Sequence, residues 1–272
     1  MQGPVAQALA LVAVGNAALN GRDVSAFWPN GSVFRYTKQC EFLEPVPGGE
    51  DDWRQIAADP LAWFEDLRPR CKGLRLHVLP RPPRQGQTPL PDRLSIAFVG
   101  GGPRWLIEAV EDKRARVWQG FDRLLDKDDP EKRIWAHGYL LQGELEPMPP
   151  APITIEQATD DLGRVLADIE SFARFIQQHA FADLFSKARI VLEAEMPQPA
   201  FHADIAELAG FDFTVQRLLA AVERAWVFGG MGSWNDVVER GANAERYELL
   251  SEALFIAAQR AVLAMANATY RG

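Results

Sequence analysis

The sequence predicts an α+β fold: a mainly antiparallel sheet of about five to six strands in the N-terminal half, packed with a C-terminal bundle of four to five helices. Two observations carry this expectation. Up to Glu146, short runs alternate apolar and polar residues, the period of a half-buried strand. From Pro147 onward, apolar residues recur at spacings of three and four, the period of a helix. The proline-rich stretch 147–152 (PMPPAP) separates the two patterns. The chain therefore divides into 1–146 and 147–272, as two units or as one continuous domain.

The first twenty residues (MQGPVAQALALVAVGNAALN) predict a helix. Its ALALVAV core has the apolarity of a secretory signal, but the first basic residue is Arg22, after that core, so no signal is expected. In 34–42, Phe34, Tyr36, Cys40 and Phe42 share one face and Arg35, Thr37, Gln39 and Glu41 the other, which predicts a strand. A helix is expected over 51–67, carrying Trp53, Ile56, Trp63 and Phe64. Further strands are expected at 74–79, 94–99, 105–110, 115–120 and 134–141. Gly100-Gly101-Gly102-Pro103 and Glu111-Asp112-Lys113-Arg114 are short enough for hairpins. The stretch 80–92 (PRPPRQGQTPLPD) reads as an extended loop.

In the second half, Thr154-Ile155-Glu156-Gln157 has the form of a capping box. It opens an apolar stripe through Ile155, Ala158, Leu162, Val165, Ile169, Phe172 and Ile176. Phe181 to Leu192 continue as a second helix, and two more are expected over 213–228 and 244–270. The last is expected to be the most buried.

Charge and cysteine content narrow the function. The 272 residues carry a net charge of −8, which repels nucleic acid and anionic lipid. Up to Glu146 there are 19 basic and 20 acidic residues, and from Pro147 there are 10 and 17, so nearly all the excess lies in the helical half. Two cysteines point to a reducing compartment, and no apolar run approaches the roughly 20 residues of a membrane helix. The expectation is a cytoplasmic protein with neither nucleic acid nor membrane as partner.

The densest functional signal is WVFGGMGSWNDV, residues 226–237. Gly229 sits where a helix C-terminus favours glycine, and Ser233-Trp234-Asn235-Asp236 has the form of a second capping box. Turn chemistry therefore explains the loop, with one helix stopping and another starting. The same residues would suit a ligand: Gly229, Gly230 and Gly232 permit close approach, Ser233 and Asn235 donate, and Trp226 or Trp234 stacks. Asp236 and the absence of Lys or Arg between Arg224 and Arg240 oppose an anion, and the P-loop and dinucleotide fingerprints are missing.

A second candidate is a basic-aromatic patch on the sheet. Arg75 and His77 share one strand face, and Trp135, His137 and Tyr139 share another; Arg116 and Trp118 would join them if the faces coincide. His202, Asp204 and Glu207 have metal-ligand chemistry without metal-site spacing, so neither metal nor cofactor is expected. No nucleophile signature occurs. The first functional expectation is a non-enzymatic acidic adaptor or inhibitor of a basic protein, in the manner of immunity proteins. The alternative is an enzyme or a small-molecule or nucleotide binder with its site between the sheet and the glycine loop.

Overall fold

The computed structural model describes residues 1, 3–48, 52–82, 90–149 and 152–272. Most of the proline-rich loop 80–92, the middle of 147–152 and the first residue of the expected 51–67 helix lie outside the described residues. The fold is α+β, with a six-stranded, mostly antiparallel sheet in the N-terminal half and helices in the C-terminal half.

Helix α1 (Gly3–Leu19) comes first and lies at the centre of the molecule. It has no charged residue and is apolar around its whole circumference, so every residue from Val5 to Ala18 is buried. The sequence pattern had given that central place to the last helix. Its two polar side chains are satisfied: Gln7 donates to the Val33 carbonyl at 3.0 Å, and Asn16 bonds to the sheet. A turn at Ser32–Phe34 precedes β1 (Thr37–Pro45), so Phe34 is a core residue outside the strand and Tyr36 is exposed.

The expected 51–67 helix is instead a strand followed by a helix: β2 (Trp53–Ala57) and α2 (Pro60–Leu67). The break falls at Asp59-Pro60. The Asp59 carboxylate caps the helix by accepting from the Ala62 N–H at 2.8 Å, and Pro60 takes the first turn, where its missing N–H costs nothing. After β3 (Gly73–Leu79), the expected strand at 94–99 is the single-turn helix α3 (Asp92–Ser95) and an irregular loop. The Ser95 hydroxyl accepts from the Gly102 N–H at 2.9 Å and closes this segment on itself. Gly100 to Gly102 therefore make no hairpin, and β3 pairs directly with β4 (Arg104–Val110). β5 (Ala115–Leu124) and β6 (Trp135–Leu145) complete the sheet, in the order β2-β1-β6-β5-β4-β3. All neighbours are antiparallel except β1 and β6.

The helical half comprises α4 (Ile155–Phe175), α5 (His179–Glu193), α6 (Ala203–Ala209), α7 (Phe213–Ala225) and α8 (Ala242–Asn267). The capping box at Thr154 and Gln157 is formed in both directions, at 3.1 and 3.2 Å. Helix α8 is long and apolar enough to cross a membrane by length and composition, and 61% of its apolar window is buried in the fold.

Two asparagines join the layers. Leu74 and Leu76 direct their backbone groups outward from β3, the edge strand. Asn16 of α1 donates to the Leu74 carbonyl at 2.9 Å and accepts from its N–H at 2.6 Å. Asn267 of α8 does the same for Leu76, at 3.0 and 2.7 Å. Each amide replaces one residue of a neighbouring strand. Replacing Asn16 or Asn267 by Ala leaves two buried backbone groups unpaired, so each change is expected to lower stability by about 2–4 kcal/mol in urea unfolding. Asn20→Ala, which loses one bond at an exposed helix end, is expected to cost under about 1 kcal/mol.

Candidate functional site

The 226–237 segment is held by its largest side chain. Helix α7 ends at Ala225, and the Trp226 ring packs near Phe228 and Phe255. Gly229, Gly230 and Gly232 have φ of 86°, 80° and 76°, a region that side-chain-bearing residues adopt only with strain. Met231, between them, is fully exposed. Trp234 is fully buried against the rings of Phe181, Phe185 and Tyr247. Its indole donates to the Ser251 hydroxyl at 2.7 Å, its backbone N–H donates to Val227, and its carbonyl accepts from the Tyr247 hydroxyl.

No long helix starts at Ser233. Residues Trp234–Asp236 form one tight turn, without a side-chain cap from Ser233. The Asp236 carboxylate turns back to accept from the Gly232 N–H at 2.6 Å, which closes the glycine loop.

Asn235 faces Arg93, a residue with no signal in the sequence because it stands between the expected loop 80–92 and the expected strand 94–99. The Asn235 amide donates to the Arg93 carbonyl at 2.8 Å and accepts from its guanidinium at 3.1 Å. The guanidinium is buried, reaches Glu248 and Glu252 of α8, and lies 5.7 Å from the centre of the Tyr247 ring. Loop, α3 and α8 thus meet at one buried cation. Burial pushes the Glu252 carboxyl above its ordinary range, opposed by the Arg93 charge.

Beyond this contact, Glu245, Leu249, Glu252 and Ile256 are spaced by four, three and four. They share a face of α8 directed away from Tyr247, Ser251 and Leu254. Leu249 is 71% exposed, and Val238, which leads into the helix, is 82% exposed.

The strand histidines occupy opposite faces of the sheet. His77 and Arg75 pair across from Leu106 and Glu108, on the face away from α1. There the fully buried Glu108 carboxylate accepts from the Met148 N–H at 2.7 Å, with His77 at 2.8 Å and Arg75 at 3.8 Å. Arg75 and His77 are therefore committed to a buried carboxylate. Trp135, His137 and Tyr139 lie with Trp118 on the α1 face, and His137 Nδ1 is 2.6 Å from Asp122. Trp135 and His137 line a cleft of about 620 Å³ at the start of α1; Arg75, His77 and the glycine loop do not reach it. Among the described residues, the two sheet histidines thus face opposite sides, and the cleft at α1 does not extend to the loop.

The other titratable cluster joins Ser32, His202 and Asp204. Asp204 accepts from both the backbone N–H and the hydroxyl of Ser32, and Ser32 Oγ is 2.7 Å from His202 Nδ1. One hydroxyl proton cannot serve two acceptors, so with Asp204 taking it, His202 donates from Nδ1. The carboxylate contacts the serine rather than the histidine, unlike a hydrolase triad. Glu207 is not part of the cluster, and among the described residues no three His, Cys, Asp or Glu side chains come together as metal ligands. Comparison with protein-family models, curated proteins and solved structures gives no match for this chain.

Two outcomes follow from these arrangements. Gly230 has open space where a Cβ would stand but a φ of 80°, so Gly230→Ala is expected to cost about 1–2 kcal/mol through backbone strain alone. Urea unfolding checks this. Burial pulls the His202 imidazole down to about 4, from 6.5 in the unfolded chain. Between those values the unfolded chain binds the extra proton, so stability should be lost as pH falls from about 6.5 toward about 4. His202→Gln is expected to flatten that part of the stability–pH curve.

Proposed function

We propose that the protein is a non-enzymatic, cytoplasmic adaptor or inhibitor that docks a basic protein, in the manner of immunity proteins. Its docking surface is the outward stripe of α8 together with Met231 and Val238. The observation that carries this reading is the coincidence of exposed apolar side chains and excess carboxylate around a loop fixed from beneath. Asp92, Asp236, Glu239, Glu245, Glu248 and Glu252 outnumber Arg93, Arg240 and Arg246 by three. Met231 and Val238 beside the loop, and Leu249 and Ile256 on α8, supply exposed apolar side chains.

Elsewhere the acidic excess is partly spent internally. Asp161 pairs with Arg164 and Arg260, Glu170 with Arg174 and Arg189, and Glu193 with Arg189. The held loop also favours binding, because little ordering entropy remains to be lost when a partner arrives.

Photo-crosslinking residues at 231 or 249, in cells that produce the protein, test this reading. A basic protein should be captured from both positions and not from Phe175, which is exposed about as much as Leu249 but lies at the end of α4. With the purified pair, association should slow by about tenfold or more between low and high salt, while dissociation changes little. Leu249→Asp should weaken binding at least about tenfold without lowering stability. Capture of a neutral or acidic protein, equal capture from 175, or a salt-independent association rate would remove the proposal.

A further inference from the structure

The antiparallel pairing of β5 and β6 sets Asp122 directly opposite His137, so both side chains lie on the sheet face toward α1. There they meet the cleft at the start of α1, whose volume of about 620 Å³ falls in the range of small-molecule sites. Its walls are mostly apolar: Val5 of α1, Ile96 of the loop before β4, and Trp105 and Trp135 on the sheet. Phe98 and Val99 stand at the rim, 66% and 72% exposed beside a concave surface.

A carboxylate has no proton to give, so the 2.6 Å contact with Asp122 makes His137 Nδ1 the donor and leaves Nε2 as a bare acceptor. His137 is 7% exposed, and among the described residues Nε2 has no partner. Polar atoms on so buried a side chain are normally paired, and no contact within the fold uses this one. The neighbouring polar groups are already committed. Gln7 donates to the Val33 carbonyl at 3.0 Å and to the Thr37 hydroxyl at 3.4 Å, and it accepts from the Tyr139 hydroxyl at 3.5 Å. Charge narrows what can reach Nε2. The Asp122 carboxylate behind the ring opposes an anion there, and Arg81 and Arg104 among the lining residues oppose a cation. What fits is a neutral donor, and a phenolic hydroxyl joins such a donor to a flat apolar ring.

We propose that this cleft binds a neutral aromatic alcohol. Its hydroxyl donates to His137 Nε2, and its flat body lies against Trp105 and Trp135. Asp122 is the positioning residue, because it holds the tautomer in which Nε2 is an acceptor. The cleft shares no lining residue with the α8 docking surface, so either reading can fail without the other.

Isothermal titration calorimetry on the full chain with 2-naphthol, 2-methoxynaphthalene, 2-naphthoate and 2-naphthylmethylamine tests the assignment, at about pH 8, where an ordinary histidine is neutral. Naphthol should bind one to one and at least about tenfold tighter than its methyl ether, which has the same body and no proton to give. The naphthoate anion and the naphthylmethylammonium cation should both bind more weakly than naphthol. His137→Phe should erase the preference for naphthol over the ether, while Trp135→Leu should weaken both. If His137→Phe does not fold, NMR of the ring nitrogens in the native chain decides. His137 should then carry its proton on Nδ1, and naphthol but not the ether should shift Nε2. Ether binding equal to naphthol binding, a preference that survives His137→Phe, or an unmoved Nε2 resonance would overturn the hydroxyl contact. Tighter binding of either charged probe, no binding of naphthol, or a proton on Nε2 in the free chain would overturn the ligand class.

Discussion

A strand at the edge of a sheet presents N–H and C=O groups that need partners once water is excluded. In this protein the edge at β3 is buried, and Asn16 and Asn267 provide those partners with two side-chain amides. The arrangement of the remaining elements follows from that substitution. Because each amide both donates and accepts, it fixes the position of its helix along the strand as well as its distance. Helix α1 is thereby locked beneath the sheet and α8 beside it, although the two asparagines are separated by most of the chain. The apolar residues of α1 then have a defined surface to fill. Leu74 and Phe64 close on Gly15 so tightly that an added Cβ there would stand 2.5 Å from Leu74 Cδ1.

With α8 fixed, the 226–237 loop has one place to go. Trp234 fills the space between α5 and α8, and its hydrogen bonds to Ser251 and Tyr247 set the direction of the chain on either side. A buried indole with its N–H satisfied is a strong anchor. Arg93 adds a second point, and it is a costly group to bury alone. Its partners Glu248 and Glu252 remain partly in water, so the cation is neutralised without removing three charges from solvent. The glycines between these anchors are needed for backbone geometry, and they leave Met231 as the exposed tip.

The overall class was legible because burial follows periodicity where an element has one wet face. Helix α4, with its stripe and its capping box at Thr154, is the clearest case. Periodicity carried no information for α1, which is buried on every side and has no polar face to give it a phase. The 94–99 run failed for the opposite reason. Leu94, Ile96 and Phe98 alternate as a strand would, yet Phe98 and Val99 are exposed, and local bonds through Ser95 decide the backbone. In the candidate regions, the sequence singled out the glycine loop, Trp135 and His137. It could not show that His77 serves a buried carboxylate on the other face, because face depends on strand register. Arg93, Asp122 and Glu248 carried no local signal, since their roles arise from contacts far apart in the chain.

Charge is spread unevenly over the molecule. A net charge of −8 describes the whole protein, but a partner meets only the local field, which fades over about a Debye length of 8–10 Å. Where arginines on α4, α5 and α8 pair with their neighbours, the acidic excess is largely cancelled at that range. Around the glycine loop the buried Arg93 guanidinium serves two carboxylates that still face water, so the outward field there stays negative.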